Sequence, residues 1–136
     1  MKLLKITKID YNSCMHKIRQ HHISFKHAFD GIIWAFKSQP NFQIHLTLSL
    51  FAIIGGLYFR ISATEMTLII LTIVFGLGIE MVNTAIESMT DLIKKEYSLE
   101  AKIAKDVAAG MMLLTAIGAL FVAGFIFIPK LLSNHF

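Results

Sequence analysis

Residues Gly78–Asp91 read GIEMVNTAIESMTD, and this stretch decides the fold because charged and amide side chains suddenly appear within an apolar helix. The stretch immediately before it, Met66–Ile79, carries no charged residue. At about 100° per residue, the polar side chains of the stretch fall within one narrow arc of the helix surface. We call this arc the polar stripe; it comprises Glu80, Asn83, Thr84, Glu87 and Asp91.

The deepest member of the polar stripe is Glu80, which lies in a run of hydrocarbon length. Inserting a carboxylate at that depth costs roughly 2.5 kcal/mol or more, so an ionisable residue there indicates function. Asn83 and Thr84 have an alternative role as hydrogen-bonding contacts between helices. Glu87 and Asp91 could form a solvated helix end, and for Asp91 taken alone that interpretation is the favoured one.

Composition indicates one small integral membrane domain. The chain has 136 residues, of which 55% are hydrophobic, which is too apolar for an ordinary soluble domain and too short for two large ones. The single cysteine, Cys14, excludes an intrachain disulfide and a cysteine zinc cluster. The net charge is +4, but the basic residues flank apolar segments and no nucleic-acid motif is present. Anionic lipid headgroups are therefore the expected neighbours.

Three apolar segments predict three transmembrane helices, at about residues 41–60, 66–93 and 106–129. The second segment would be roughly 40 Å long, which exceeds the ~30 Å hydrocarbon layer, so its carboxyl end should project from the membrane. Residues 94–105 are predicted to form a charged connector, and Pro129 with Lys130 to end the third span. Lys and Arg cluster before residue 40 and again at 94–105. The positive-inside rule then predicts a cytoplasmic amino terminus and a carboxyl terminus on the outside.

The amino-terminal part of the chain is predicted to be an arm followed by a surface helix. Residues 1–22 are basic and contain several histidines, for which a solvated tail is favoured over metal binding. Residues 24–38 alternate apolar and polar side chains at helical spacing but are too short to span a bilayer, so they should lie at the membrane surface with Ser24 as N-cap. The membrane domain is accordingly placed at 23–136.

The polar groups near the predicted cytoplasmic interface suit a site for a metal and a phosphate. If spans two and three pair antiparallel, Glu87 and Asp91 come near Lys105 and Asp106. Carboxylates can hold Mg²⁺ and a lysine can contact phosphate oxygens. The alternative of a small ion or proton conduit could also use Glu80 and Asn83, but a conduit needs neither Lys105–Asp106 nor a charged connector. No Walker loop, GxSxG, HExxH or Rossmann glycine pattern is present.

The same residues resemble a known family. Glu80-Met-Val-Asn83-Thr-Ala-Ile-Glu87, followed by Asp91, Glu96-Tyr97, Ala104-Lys105-Asp106 and Ala108-Ala109-Gly110, is similar to the signature of the prokaryotic diacylglycerol kinase and undecaprenol kinase family. Upstream, Asn41-Phe42-Gln43-Ile44-His45 resembles the Gram-positive undecaprenol kinase branch in particular.

The resemblance implies a homotrimer of three-span subunits in the bacterial plasma membrane, with active sites at subunit interfaces near the cytoplasmic face. It implies transfer of the ATP γ-phosphate to a lipid hydroxyl, with undecaprenol as the first acceptor and diacylglycerol as the alternative. Matched by position, Glu80 would be the general base with Asn83 beside it, Glu80 and Ala109 would contact the lipid substrate, and Glu87 with Gln39 would hold Mg²⁺. The residues along ATP would be His27, Gln39, Glu87, Glu96, Tyr97, Ser98, Lys105 and Asp106.

Two positions depart from the family pattern. The family commonly has a second metal-holding glutamate where this chain has Gln39, and a nucleotide-contacting arginine of the diacylglycerol kinase branch aligns near Gln20. Gln39 can offer a neutral oxygen but no charge, so weaker metal binding is expected. This departure also keeps open a third class, a structural membrane oligomer descended from the kinases with little catalysis.

Overall fold

The computed structural model describes residues 25–93 and 97–133, and within these ranges the chain is helical apart from short turns. Residues 25–38 form α1, Pro40–Tyr58 form α2, Ala63–Ile93 form α3 and Leu99–Leu132 form α4. The predicted all-α class is confirmed. The chain divides into two units after Ser38, of which the first contains α1 and the second contains α2–α4.

Helix α1 presents large apolar side chains to its surroundings. Phe25, Phe29, Ile33 and Phe36 are all exposed in the single chain. Near the carboxyl end of the helix, the Ser38 hydroxyl donates a hydrogen bond to the backbone oxygen of Trp34 at 2.7 Å. A membrane-surface location for α1 stays a prediction. The predicted N-cap Ser24 and the arm 1–22 lie outside the described residues.

The turn between α2 and α3 is tight and well capped. Arg60 adopts a positive φ of 49°, and Ser62 and Glu65 form a reciprocal cap: the Ser62 backbone N–H donates to Glu65 Oε2 at 2.7 Å, and the Glu65 N–H donates to Ser62 Oγ at 3.3 Å. Gly56 leaves room for two side-chain ends at this turn, because a Cβ at that position would lie 2.8 Å from Met66 Cε and 2.9 Å from Ile61 Cδ1, and both would have to move. Ser62 is therefore the capping residue at the amino end of α3.

Helix α4 is longer at both ends than the predicted third span. It begins at Leu99 rather than near Asp106, because Ser98 caps it by accepting the Ala101 N–H at 3.2 Å. Residues 99–105 of the predicted charged connector are therefore helical. The helix also continues past Pro129 and Lys130, where the third span was predicted to end, as far as Leu132. Pro129 lies in the last turn, where the loss of one backbone donor interrupts little of the helix.

The α2–α4 unit is built around α3, which packs against both α2 and α4. A Cβ at Gly76 would lie 3.9 Å from Thr115 Cγ2, and farther along, Asp91 pairs with Lys105. Ascending residues of α3 thus meet descending residues of α4, so the two helices are antiparallel.

Helices α2, α3 and α4 are each long and apolar enough to cross a membrane, with mean hydropathies of 1.2, 2.0 and 2.5. The predicted number of membrane-length apolar helices is thereby confirmed. Many large apolar side chains of these helices are exposed in the single chain, as expected where lipid or other subunits cover them.

Candidate functional site

The buried polar residues of the described chain all belong to the polar stripe of α3. Glu80 is 2% exposed, Asn83 is 5% exposed and Thr84 is 6% exposed. A soluble protein buries apolar residues and exposes charged ones, whereas this chain places a carboxyl group at one of its least accessible points. The prediction that Glu80, Asn83 and Thr84 share one face is consistent with this common burial.

Glu80 is buried without a full set of hydrogen bonds. Its Oε2 atom is inaccessible and has no hydrogen-bond partner among the described residues. The ionisable groups that act on Glu80 electrostatically are His45 of α2 and Glu87, which lies two turns farther along α3. Burying a carboxyl oxygen without a partner is costly, so this oxygen is suited to a partner that the described residues do not supply.

Asn83 and Glu87 form a linked pair. Asn83 Nδ2 donates to Glu87 Oε1 at 3.0 Å across one helical turn. This bond fixes the orientation of the Asn83 amide and leaves Asn83 Oδ1 buried without a partner in the described chain. The pair therefore presents an amide oxygen and an oriented carboxylate on the same face as Glu80.

The outer end of the polar stripe is tied to α4. Lys105 Nζ forms an ion pair with Asp91 Oδ1, which joins α3 to α4. Within α4, Lys102 pairs with Asp106 across one turn. The prediction that Asp91 and Lys105 lie at one level is confirmed, and Asp91 is paired rather than simply a solvated residue at a helix end.

Three other predicted nucleotide and substrate residues, Tyr97, Ser98 and Ala109, lie at or near the amino-terminal part of α4. Ser98 is the N-cap of α4, and Tyr97 just before it is 83% exposed. Ala109 is exposed on α4, next to the buried Ala108. Glu96 lies outside the described residues.

Two predicted residues precede α2. Gln39 is the N-cap residue of α2 by its extended backbone, and its side chain makes no capping hydrogen bond, so the amide is not committed to the helix end. His27 lies on α1, with its Nδ1 atom 4.0 Å from Asp30 Oδ2 one turn away. The role of His27 at the nucleotide stays a prediction.

The donor set agrees with a Mg²⁺ ion that is shared with a phosphate. Within residues 25–93 and 97–133, no group of three His, Cys, Asp or Glu side chains is arranged to hold a metal. Protein sites for Mg²⁺ on nucleotides commonly use one or two carboxylates and complete the coordination with phosphate oxygens and water. Glu87, held in place by Asn83, is a carboxylate of that kind.

Sequence reasoning did not place His45 in the candidate site. The structure makes His45 half-buried, and it acts electrostatically on Glu80. The indication in the sequence was the same one that identified Glu80: an ionisable side chain within a membrane-length apolar helix.

A long central helix with a buried carboxyl group and an ion-paired outer end, within three membrane-length helices, defines a class of small helical membrane proteins with an intramembrane polar site. Residues 26–127 match the model of the prokaryotic diacylglycerol kinase family, and the chain belongs to that family.

Several relatives share most of the chain. A diacylglycerol kinase of Synechocystis sp. is 39% identical over 112 residues, which cover 82% of this chain and 64% of the relative. The undecaprenol kinase of Bacillus subtilis is 37% identical over 108 residues, covering 79% of this chain and 88% of the relative. A diacylglycerol kinase of Helicobacter pylori is 34% identical over 95 residues, covering 70% and 74%. The chain thus spans less than two thirds of the Synechocystis protein and most of the other two.

Proposed function

We propose that this protein is an ATP-dependent lipid kinase of the plasma membrane, which transfers the γ-phosphate of ATP to the hydroxyl of a membrane lipid alcohol. The observation that carries the proposal is Glu80: a buried carboxyl group on a membrane-length helix, with one oxygen that has no partner in the described chain. Membership of the prokaryotic diacylglycerol kinase family supports the same reaction.

Glu80 is the general base of the proposed reaction. A primary lipid hydroxyl is a poor nucleophile at neutral pH, and a positioned carboxylate accelerates its attack by accepting its proton. The hydroxyl oxygen forms a bond to the γ-phosphorus while the bond from that phosphorus to the β,γ-bridging oxygen breaks. ADP leaves, and the proton passes to Glu80. Asn83 Oδ1, buried without a partner in the described chain, can accept a hydrogen bond that fixes the substrate beside Glu80.

Glu87 and Lys105 serve the phosphates in this proposal. Mg²⁺, when bound, neutralises charge on the phosphate oxygens; Glu87 would hold it and Gln39 would add a neutral oxygen. Lys105 lies near the amino-terminal end of α4, where its ion pair with Asp91 positions it. Its ammonium group can contact a phosphate from there. His27, Glu96, Tyr97, Ser98 and Asp106 complete the proposed nucleotide contacts, and Ala109 the contact with the lipid.

We propose undecaprenol as the acceptor, with diacylglycerol as the second candidate. The undecaprenol kinase of Bacillus subtilis covers most of this chain, and two other relatives are named diacylglycerol kinases. We further propose that the protein works as a homotrimer, with a cytoplasmic amino terminus and the carboxyl terminus outside. Extensive exposure of apolar side chains on α2–α4 in the single chain agrees with subunit contacts in the membrane.

The test is transfer of labelled phosphate from ATP by the purified full chain in mixed micelles that contain undecaprenol, diacylglycerol or no acceptor. We expect a labelled lipid with undecaprenol, dependence on Mg²⁺, and little labelled product without acceptor. Absence of any labelled lipid would contradict the kinase and favour a structural role. A flux of ions or protons through reconstituted protein, without phosphate transfer, would favour the conduit.

A further inference from the structure

A cavity of about 400 Å³ lies between α2, α3 and α4. This volume is within the roughly 300–1,000 Å³ range of small-molecule sites in proteins. The lining is mostly apolar, and all three helices contribute to it. The residues that line the cavity include His45, Ser49, Ala52, Thr72, Gly76 and Thr115.

Glu80 is not itself a lining residue of the cavity, but residues of the preceding helical turn are. Gly76 and Leu77 line the cavity on α3, and Glu80 follows them by one helical turn, a rise of about 6 Å from Gly76. On α2, His45 both lines the cavity and acts electrostatically on Glu80. A molecule whose polar end extends past Gly76 toward His45 would approach Glu80, whose Oε2 atom has no hydrogen-bond partner among the described residues.

The hydroxyl groups in the cavity wall have no hydrogen left to donate. Ser49 Oγ donates to the His45 backbone oxygen at 2.7 Å, and Thr72 Oγ1 donates to the Leu68 oxygen at 2.8 Å. In the same way, Thr115 Oγ1 donates to the Met111 oxygen at 2.9 Å. A hydroxyl carries a single hydrogen, so each of these side chains is already committed to its own helix.

This arrangement distinguishes between the two candidate acceptors. In diacylglycerol, ester oxygens lie close to the reacting hydroxyl, and in this cavity they would lose hydrogen bonds to water without gaining donors from the wall hydroxyls. In a polyprenol, hydrocarbon begins directly after the hydroxyl-bearing carbon. The cavity wall is mostly apolar, and its hydroxyl groups already donate their hydrogens to backbone oxygens. Such a wall favours binding of the polyprenol over binding of diacylglycerol.

We propose that this cavity within one subunit holds the first hydrocarbon units of a polyprenol-type alcohol, with its hydroxyl between Glu80 and His45, and that the committed wall hydroxyls select against ester-bearing acceptors. The proposal rests on the kinase function proposed above, and it adds the location of the acceptor and the basis of its selection. His45 is a positioning residue in this arrangement.

The first test locates the occupant without relying on turnover. The purified full chain in detergent micelles is irradiated with a short polyprenol that carries a diazirine on the unit next to the hydroxyl, and the adducts are mapped by mass spectrometry. We expect adducts on cavity-lining residues of α2, α3 and α4, suppressed by excess unlabelled polyprenol. Adducts confined to other surfaces, or suppression of the adducts by excess diacylglycerol as strong as that by excess polyprenol, would overturn the proposal.

The second test fills the cavity. Ala52→Leu adds bulk to the cavity wall, whereas Thr47→Leu adds bulk on the exposed face of the same helix. We expect Ala52→Leu to lower kcat/KM for the polyprenol by about tenfold or more, as pocket substitutions of this size do. The KM for ATP should stay unchanged, and Thr47→Leu should resemble the parent in activity and in assembly size. Equal losses in the two variants, or a raised KM for ATP in Ala52→Leu, would overturn the proposal.

The third test concerns His45. Replacement of the ring by asparagine keeps a hydrogen-bonding group, and replacement by leucine removes it. For a positioning role, we expect His45→Leu to raise the KM for the polyprenol and lower kcat, with partial rescue in His45→Asn and no change in the KM for ATP. Equal activity of both variants and the parent would remove His45 from the proposal. If the parent phosphorylates no lipid alcohol, the kinase proposal fails, and the crosslinking result still decides whether the cavity takes the polyprenol.

Discussion

The inner and outer halves of the polar stripe look alike in sequence and differ in physical state. The inner half, Glu80, Asn83 and Thr84, is buried and leaves two polar atoms without partners in the described chain. The outer half ends at Asp91, whose side chain is 67% exposed and paired with Lys105. Buried polar groups without hydrogen-bond partners lower stability, so their presence indicates a functional role. Exposed ion pairs, in contrast, contribute little to stability. The inner half should therefore dominate activity, and the outer half should mainly adjust it.

The largest expected effect is that of Glu80→Gln. Glutamine keeps the shape of the side chain but cannot accept a proton from the substrate, so turnover should fall by about 10²-fold or more. Nucleotide binding and assembly size should persist, because no hydrogen bond within the described chain depends on the lost charge. The measurement is lipid phosphorylation, with nucleotide binding and size-exclusion chromatography in parallel.

A matched control exists on the same helix. Glu65 caps the amino end of α3 through Ser62, far from the polar stripe, so Glu65→Gln should leave kcat unchanged and cost a modest amount of stability. If Glu80→Gln retains most of its turnover, Glu80 is not the base. A comparable loss of turnover in both variants would mean that general damage to α3 explains the result.

The second effect concerns Glu87, at the border between the two halves. Glu87→Gln can still accept the hydrogen bond from Asn83 Nδ2, so the change removes charge and preserves local geometry. We expect the Mg²⁺ concentration for half-maximal activity to rise by roughly tenfold or more, since contacts to charged groups contribute about 1.5–3 kcal/mol. A metal titration of activity measures this. An unchanged titration would place the metal elsewhere.

The sequence predicted the helical class and the number of membrane-length helices because hydrocarbon-length apolar runs have few other solutions. It also predicted the shared face of Glu80, Asn83 and Thr84 from helical periodicity alone. Helix ends were less accurate. Charge in residues 99–105 suggested a connector, but charged residues are compatible with a helix outside hydrocarbon, and Ser98 starts α4 at Leu99.

The parts of the site that sequence did not reveal depend on contacts between helices. Nothing in the spacing of His45 indicated that it acts on Glu80, since that effect depends on how α2 packs against α3. The pairing of Lys105 with Asp91 rather than with its neighbour Asp106 likewise depends on the pairing of α3 with α4. The contribution of Gln39 to the metal still rests on the family resemblance.

A third, smaller effect tests Gln39. If residue 39 faces the metal with Glu87, Gln39→Glu adds a second carboxylate. The Mg²⁺ concentration for half-maximal activity should then fall, and the metal-free protein should melt at a lower temperature than the parent because two carboxylates repel. Activity titrations and melting curves with and without Mg²⁺ measure both. Asn41→Asp adds the same charge at the same end of α2 and serves as control; an equal response in both variants would remove residue 39 from the metal.

The smallest effect should come from the outer half of the polar stripe. Asp91→Asn removes the partner of Lys105, but both side chains are partly exposed, at 67% and 39%, so water and salt already weaken their attraction. Exposed pairs of this kind contribute about 0.2–1 kcal/mol to stability, and the loss should shrink further as ionic strength rises. Freed from Asp91, Lys105 should change the KM for ATP modestly and leave kcat for the lipid near that of the parent.

Glu100→Gln, which removes one negative charge from the first turn of α4, controls for net charge. Melting curves at low and high salt, together with ATP titrations, measure these effects. A loss of turnover in Asp91→Asn as large as that in Glu80→Gln would erase the distinction between the two halves, because an exposed, water-screened pair would then matter as much as the buried carboxyl group.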